Sequence, residues 1–262
     1  MHLSPMVVIG VALLVAAGAG WYFMRRTRDE LHAMIGTSTS TVSELEEQRR
    51  TAGELGGRAG FRQQCELVGS AHPRPEGLLV SELSRAECVW YRYRVEREFR
   101  EQRHDTNGNT RRQRKKEKIA EHTSHEGYAL RDGNGELIGI DPNGAPPDHP
   151  EQVVDRFEPH APEGPRMFGV QLPSFFDFSN TIGYHYKEWV IRPEQQLYVL
   201  GEAHDKIGPL VVAKPPKGSF VISTRSEEEL RADRRTRHKW LRAGVLAGVP
   251  LGIALIVAGF LK

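Results

Sequence analysis

Cysteine is scarce in this sequence, and its scarcity argues against two classes of protein. Cys65 and Cys88 are the only cysteines among 262 residues. A small secreted domain held by disulfides usually contains more, and a zinc module built on Cys-x-x-Cys pairs needs spacings that are missing here. We therefore expect two free thiols. We also expect no metal site, because His122 and His125 would point to opposite faces of a strand.

Signatures of nucleotide binding and of nucleophilic catalysis are also missing. The sequence has no Gly-Lys-Ser or Gly-Lys-Thr, which a phosphate-binding loop requires, and no Gly-x-Ser-x-Gly elbow. Either cysteine could act as a nucleophile if a histidine activated it. Both stand at predicted strands, however, where a small buried thiol is the commoner outcome. We predict no cofactor and no catalytic residue.

Long apolar runs are absent from the middle of the chain, but one lies at each end, Met6 to Met24 and Ala243 to Leu261. Each is close to the roughly 20 residues that cross a bilayer as a helix. We therefore predict two spans in a lipid bilayer. The alternative for the first run is a cleaved signal peptide, but its basic residues follow the run instead of preceding it, which favours a retained anchor.

The charges beside the two runs predict their orientation. Arg25, Arg26 and Arg28 follow the first run, and a basic cluster precedes the second: Arg231, Arg234, Arg235, Arg237, Lys239 and Arg242. Because Lys and Arg near a span favour the cytoplasmic side, we expect a cytoplasmic middle region and both termini outside. Frequent Arg, Ala and Gly are typical of GC-rich bacterial genomes, so we expect a bacterial cell membrane.

Alternating patterns between the spans predict β-strands. Apolar and charged residues alternate from Cys88 to Phe99, as in a strand with one buried face. Polar residues 105–109 predict a turn that makes this strand half of a long hairpin, and the proline-rich residues 141–166 predict an irregular connector. Further strands are predicted at Ile119–Ser124, Tyr128–Leu130, Leu137–Ile140, Tyr186–Ile191, Leu197–Gly201, Leu210–Ala213 and Ser219–Ile222.

Two helices are predicted next to the membrane. Thr41 and Glu44 have the spacing of a capping box at the start of a helix that ends near Gly53. Ser226-Glu227-Glu228-Glu229 begins a charged helix that continues into the second span. The predicted fold is mainly β: one antiparallel β domain, a barrel or a curled sheet, between two transmembrane α-helices. The predicted segments are an anchor (1–24), a helix and Gly-rich linker (25–60), the β-rich domain (61–225), a charged helix (226–242) and the second span (243–262).

A basic run stands on the long hairpin. The net charge of +2 excludes a uniformly basic nucleic-acid binder but not a local patch. On a membrane-tethered arm the natural anionic partner is a phospholipid surface, and the alternative is a solvated arm whose charges protect an exposed edge. Nucleic acid is disfavoured, because no stacking aromatics lie among the charges. The residues are Arg111, Arg112, Arg114, Lys115, Lys116 and Lys118.

Small residues recur every four positions in both spans. They are Gly244, Gly248 and Gly252 in the second span, and Ala12, Ala16 and Gly20 in the first. Such faces let helices approach closely in lipid. The two spans would pair with each other or with a second copy, unless these residues simply reflect how common Gly and Ala are in such helices.

Several short patterns carry a resemblance to a known family. They are Glu66-Leu67-Val68-Gly69 before Cys88-Val89-Trp90-Tyr91-Arg92, then Glu188-Trp189-Val190-Ile191-x-Pro193, and Tyr198-Val199-Leu200-Gly201-Glu202-Ala203. With a polar helix over Ser223–Leu241 entering the second span, the chain resembles the GIDE-type membrane-anchored ubiquitin ligases, the mitochondrial ligase and its plant and prokaryotic relatives. The resemblance implies a β-rich domain beside a membrane.

The resemblance also implies an activity that these residues do not support. In the eukaryotic family a RING domain holds two zinc ions through eight Cys or His ligands and recruits the charged conjugating enzyme. Two cysteines without a Cys-x-x-Cys pair cannot build that site, so we expect a prokaryotic form that lacks the RING.

Two functions stay open. The first is a non-catalytic, membrane-tethered binding or scaffold module whose β domain contacts a protein partner or the lipid surface. The second is an E3 ubiquitin ligase (ubiquitin transferase) component that acts with a catalytic partner chain. If the later strands bind a ligand, the candidates are Glu188, Glu202 and His204, and a structural role in turns and strand pairing is the alternative.

Overall fold

The computed structural model describes residues 5–36, 39–54, 60–104, 110–143, 145–160, 166–167, 170–171 and 180–260. The helices are α1 (Pro5–Gly36), α2 (Val42–Glu54) and α3 (Glu227–Phe260). The strands are β1 (Arg62–His72), β2 (Leu79–Val80), β3 (Glu87–Cys88), β4 (Trp90–His104), β5 (Thr110–Thr123), β6 (Tyr128–Arg131), β7 (Leu137–Ile140), β8 (Glu151–Pro159), β9 (Arg166–Met167), β10 (Val170–Gln171), β11 (Thr181–Ile191), β12 (Gln196–His204), β13 (Val211–Ala213) and β14 (Val221–Ser223).

Five strands close into a barrel. Their order is β1-β6-β7-β13-β12, and β12 pairs again with β1 along its whole length. Every pairing is antiparallel except that of β7 with β13. β14 pairs with β12 beside β13. This is a small Greek-key barrel of the OB type, and the predicted mainly β fold class between two long apolar helices is confirmed.

The barrel interior is filled by the inward residues of each strand, including Leu67, Leu130, Ile138, Val199 and Val212. α2 closes one end of the barrel, because its first turn inserts Val42 and Leu45 into the same cluster. The predicted capping box is present: Glu44 N donates to Thr41 Oγ1 at 3.2 Å, and Thr41 N donates to Glu44 Oε2 at 2.9 Å. A third free amide at this helix start, Val42 N, donates to Asp132 Oδ2 at 2.9 Å.

A second, four-stranded antiparallel sheet has the order β5-β4-β11-β8. One of its faces is buried, where Tyr91, Val95, Tyr184, Tyr186 and Val190 contact the segment that carries β2 and β3. The other face is charged. The strand predicted from Cys88 to Phe99 is confirmed over Trp90–Phe99 as part of β4, whereas Cys88 belongs to the short strand β3. Its partner β5 begins at Thr110 instead of Ile119, so the basic run is itself part of a strand. The predicted turn at 105–109 lies outside the described residues.

The irregular connector predicted at 141–166 is wrong over Glu151–Pro159, which form β8 and pair with β11. Most β8 side chains are exposed, and its polar and apolar residues do not alternate regularly. Pairing with β11 stabilises this strand through backbone hydrogen bonds, which the side-chain pattern does not reveal. β8 ends at Pro159, as an edge strand tolerates.

α1 and α3 pack against each other. Each contains a stretch apolar and long enough to cross a membrane, within Pro5–Arg25 and Glu227–Gly259. Gly10 and Gly252 lie at the crossing, since a Cβ on Gly10 would stand 2.8 Å from the carbonyl oxygen of Gly252. A side chain at either position would push the helices apart. The charged helix predicted to continue into the second span is confirmed as the continuous α3.

Both helix-bearing ends of the chain attach to the barrel at neighbouring points. Thr39, shortly after α1, donates from Oγ1 to Glu66 Oε1 of β1 at 3.0 Å. Leu230 in the first turns of α3 is buried against Tyr198 of β12. Tyr198 in turn donates from its phenol oxygen to Glu66 Oε2 at 2.9 Å. The buried pair of Glu66 and Tyr198 therefore links the point where α1 attaches to the barrel with the point where α3 attaches.

Candidate functional site

The exposed side of the four-stranded sheet carries many charged side chains, including Arg92, Arg94, Glu96, Glu98 and Glu121, and we call it the charged face. The register of β4 with β5 pairs Glu96 with Lys118 and Glu98 with Lys116. Because side chains alternate along a strand, four of the predicted basic residues share this face: Arg112, Arg114, Lys116 and Lys118.

The other two predicted basic residues lie elsewhere. Lys115 is on the opposite side of β5, and its Nζ is 2.5 Å from Oε2 of Glu101. Arg111 is opposite Arg103 in the backbone register, and its side chain is outside the described part of the structure. The pleat of the strand thus separates residues that are contiguous in sequence.

Glu121 gathers three cations on the charged face. Arg92 and Arg94 both donate to Oε1, with Arg94 Nη2 at 2.8 Å, and Lys118 Nζ lies 2.5 Å from Oε2. The hydrogen bonds from Lys118 and then from Arg92 lower the pKa of Glu121 to about 2. Glu96 is a second acid here, with Oε1 3.9 Å from Arg94 Nη1 and Oε2 3.9 Å from Lys187 Nζ. Two carboxylates therefore lie among four cations, and this end of the face keeps an excess of positive charge.

Glu98 lies farther along β4, between β11 and β5. His185 Nε2 is 2.8 Å from its Oε2, and Arg114 Nη1 is 3.7 Å from its Oε1. The hydrogen bond to His185 is the main cause that lowers the pKa of Glu98. His185 also packs against the ring of Phe157 on β8, with centroids 4.7 Å apart. Both Glu98 and Glu121 are therefore already paired within the sheet.

Arg112 and Lys116 differ from their neighbours, since they form no hydrogen bond or ion pair with any described residue. Both are exposed on β5, the edge strand. A cavity of about 370 Å³ between Arg100, Arg112 and Asn180 opens on this part of the sheet. A larger, open one of about 640 Å³ lies beside Glu121, His122 and Pro142. These cations are available to an external anion.

The sequence pattern predicts the basic residues of the charged face, but it does not predict the contacts that Glu121 and His185 make there. The alternation of β4 placed Arg92 and Arg94 on one face with Glu96 and Glu98. Nothing in the linear pattern indicated that Glu121 would lie opposite Arg94, because that depends on a register shift at Val95 and Glu96.

The predicted ligand candidates lie on two different sheets. Glu188, on β11, is fully buried and accepts hydrogen bonds from Leu83 N at 2.7 Å, Ser84 N at 2.8 Å and Ser81 Oγ at 3.1 Å. The loop of residues 81–84 donates to both oxygens of the Glu188 carboxylate. Glu188 therefore has the contacts of a structural residue that fixes this loop. It faces the buried side of the sheet, away from the charged face.

Glu202 and His204 belong to the barrel strand β12. Glu202 Oε1 accepts from Arg62 Nη2 at 2.7 Å across the pairing with β1. His204 Nδ1 is buried with no hydrogen-bond partner in the described part of the chain. Neither residue shares a cavity with Glu188, and the structure does not join the three into a site.

The two cysteines are fully buried and unpaired. Burial raises the pKa of the Cys65 thiol to about 11. Burial, reinforced by the carboxylate of Glu188, raises that of Cys88 to about 12. Both thiols are thus protonated at neutral pH and are weak nucleophiles.

The small residues of the two spans fall into two groups. The first group lies at the contact between the helices. A Cβ added at Gly252 would meet Leu14, one at Gly248 would lie 3.7 Å from Ala17 Cβ, and one at Gly20 would lie 3.2 Å from Val245 Cγ2. Gly244 meets nothing within 4 Å. Ala16 lines the same groove as Gly244 and Gly248, whereas Ala12 is exposed on the outer side of α1.

No group of three or more His, Cys, Asp or Glu side chains converges as a metal site within the described ranges. The rings of His122 and His125 are 6.3 Å apart, but no third ligand joins them there.

A protein-family model described as GIDE: E3 Ubiquitin ligase matches residues 97–258. The match begins within β4, includes β5, β8 and β11 of the four-stranded sheet and four of the five barrel strands, and ends in α3. No match was found among the curated proteins or among the solved structures.

Proposed function

The chain belongs to the GIDE family, and from that premise we propose that it is a non-catalytic, membrane-tethered binding module whose charged face contacts an anionic lipid surface. The observation that carries the proposal is a pair of exposed cations, Arg112 and Lys116, which form no hydrogen bond or ion pair with a described residue, on an edge strand that also bears Arg114 and Lys118. Basic residues near an anionic bilayer contribute about 1 kcal/mol each.

The dimensions of the molecule support this proposal. From Arg25 to Gly36 and from Glu227 to Arg242 the helices hold the barrel about 15–25 Å from the apolar spans, at a rise of 1.5 Å per residue. β4 has 15 residues, which corresponds to about 50 Å of strand. A hairpin of that length, formed by β4 and β5, spans the distance between the barrel and the bilayer when it is directed towards the bilayer.

The chemistry of the cysteines supports the non-catalytic part of the proposal. Transfer through a thioester needs an accessible, reactive thiol, and RING chemistry needs paired zinc ligands. In this sequence Cys65 and Cys88 are buried on separate strands with raised pKa values. The second candidate, a ligase component acting with a RING-bearing partner, is supported by the family description alone.

We propose the following arrangement in the cell. The β-rich region of residues 61–225 lies in the cytoplasm of a bacterial cell, and both termini lie outside. The basic residues at the inner ends of both spans support this orientation. Protease treatment of intact cells should leave the region protected, whereas cleavage between residues 61 and 225 would contradict the orientation.

The experiment on the charged face uses the full chain in phosphatidylcholine nanodiscs fixed to a sensor. Phosphatidylglycerol vesicles are passed over the wild type, over R112S/K116S, and over the matched control K206S/K217S on exposed barrel loops. Two lost cations should weaken vesicle binding about 30-fold, from about 1 kcal/mol each, and the control should bind as the wild type does. Equal binding by all three proteins would reject the lipid surface as the partner of this face.

A separate assay tests catalysis. Purified full chain is mixed with ubiquitin, activating enzyme, conjugating enzyme and ATP, with a RING-bearing ligase as positive control. We expect no transfer above the reaction without the chain. Transfer by the chain alone would reject the non-catalytic proposal while leaving the vesicle result unaffected.

A further inference from the structure

A groove runs between α1 and α3 on the barrel side of their crossing, and its volume is about 410 Å³. Beyond it, near Gly10 and Gly252, the helices are in direct contact. Along the groove α1 and α3 still approach each other at Gly20 and Val245 and at Ala17 and Gly248, but a Cβ added at Gly244 would meet no atom within 4 Å. Its apolar walls are formed by Leu13, Ala16, Ala17, Gly20, Leu241, Gly244, Val245 and Gly248.

The length and the lining of the groove fit a hydrocarbon chain. From Arg237 to Gly248 it extends about 16 Å along α3. Its lining along this length is apolar except for Arg237 at one end and the neighbouring Trp240. A single polymethylene chain lying in it contacts these apolar walls at about 4 Å.

The mouth of the groove has the polarity of a lipid headgroup region. Arg237 lines it and forms no ion pair with any described residue. Trp240 lies beside Arg237 and is 75% exposed. On α1, Trp21 is stacked under the guanidinium of Arg25 at 4.5 Å. Tryptophans and basic residues at one level of two spans are typical of the membrane interface.

We propose that this groove binds one anionic phospholipid, with an acyl chain along the glycine and alanine walls and the phosphate on Arg237. A second copy of the chain fits less well, because the apolar face of another span offers no anion to Arg237 at the mouth of the groove. The inference depends on embedding in a bilayer and is independent of the charged face.

The test measures lipid retained by the full chain. The protein is extracted in mild detergent, exchanged against phosphatidylglycerol or phosphatidylcholine with identical acyl chains, and analysed by native mass spectrometry. We expect one retained phosphatidylglycerol and little phosphatidylcholine. Arg237→Gln should lower phosphatidylglycerol occupancy about fivefold, and the matched control Lys239→Gln, also exposed on α3, should not.

A second pair of variants tests the walls. Gly244→Leu fills the groove without disturbing a helix contact, since its Cβ has open space, and should abolish the difference between the two lipids. Gly18→Leu is the control, because Gly18 also has open space but does not line the groove. Equal retention by Gly244→Leu and wild type would overturn the proposal, as would a wild-type dimer that Gly244→Leu converts to a monomer.

Discussion

Tyr198 donates its phenol hydrogen to Glu66 Oε2 at 2.9 Å, inside the protein. The two residues come from β12 and β1, the strands whose pairing closes the barrel. Glu66 also holds Thr39 at the end of the α1 segment, and Tyr198 packs on Leu230 of α3. A change at this pair therefore affects barrel closure and both helix attachments at once.

Tyr198→Phe should destabilise the soluble region. It removes a hydrogen bond to a buried carboxylate, for which we expect a loss of about 1.5–3 kcal/mol in the free energy of unfolding. Tyr128→Phe is the matched control, because Tyr128 is equally buried and its phenol oxygen has no partner among the described residues. Urea unfolding followed by the fluorescence of the buried Trp90 provides the measurement. A larger loss in the control than in Tyr198→Phe would contradict this account.

Glu188→Gln should loosen the segment that carries β2 and β3. An amide nitrogen would face donors that now share a carboxylate, namely Ser81 Oγ and Ser84 N. We expect a loss of about 1–3 kcal/mol in unfolding free energy and faster hydrogen exchange at residues 79–88. Glu87→Gln, on an exposed side chain nearby, serves as the control. Unchanged exchange in the Glu188 variant would show that the carboxylate does not anchor this loop.

Neither cysteine should react with iodoacetamide in the folded protein at pH 8. With a pKa of about 11, about one Cys65 thiol in a thousand is a thiolate at that pH. Cys88, with a pKa of about 12, is less reactive still. Mass spectrometry should show no modification in buffer and two modifications after unfolding in urea. Rapid labelling of either thiol in the native state would indicate that the strand opens locally.

The contribution of Glu121 to the free energy of unfolding should disappear in acid. Its folded pKa of about 2 lies below the ordinary value of 4.5, so the unfolded chain binds more protons between these values. The resulting stability is present above pH 4.5 and is lost as the pH falls towards 2. The difference in unfolding free energy between wild type and Glu121→Gln should therefore shrink from pH 7 to pH 2. A constant difference would mean that the three cations do not act on the carboxylate.

Local patterns predicted the local structure well. Thr41 and Glu44 form the capping box that their spacing indicates, and the hairpin of β6 and β7 follows from a Gly- and Asn-containing turn between two apolar segments. Strand β4, over Trp90–Phe99, follows from strict alternation of apolar and charged residues. In each case, neighbouring residues supply the decisive interactions, so the sequence pattern contains the necessary information.

Long-range pairing was not predictable in the same way. β8 was missed because its side chains lack regular alternation and because its stability depends on β11, whose residues are about thirty positions away. The parallel pairing of β7 with β13 joins Gly139 to Val211. The charged face depends on such registers too, since Glu121 meets Arg92 and Arg94 only when β5 pairs with β4 as observed.

The closure of the barrel by β1 and β12 sets an order of events during synthesis. β1 leaves the ribosome early, but its partners along the closing seam are residues 196–204. α1 has by then long been available to the membrane. The nascent chain therefore spends much of its translation as an incomplete sheet suspended from an inserted helix, with β1 lacking its β12 partner. Such exposed edges are prone to aggregation, so the interval before residues 196–204 are made is the stage of synthesis at which nascent chains associate most readily.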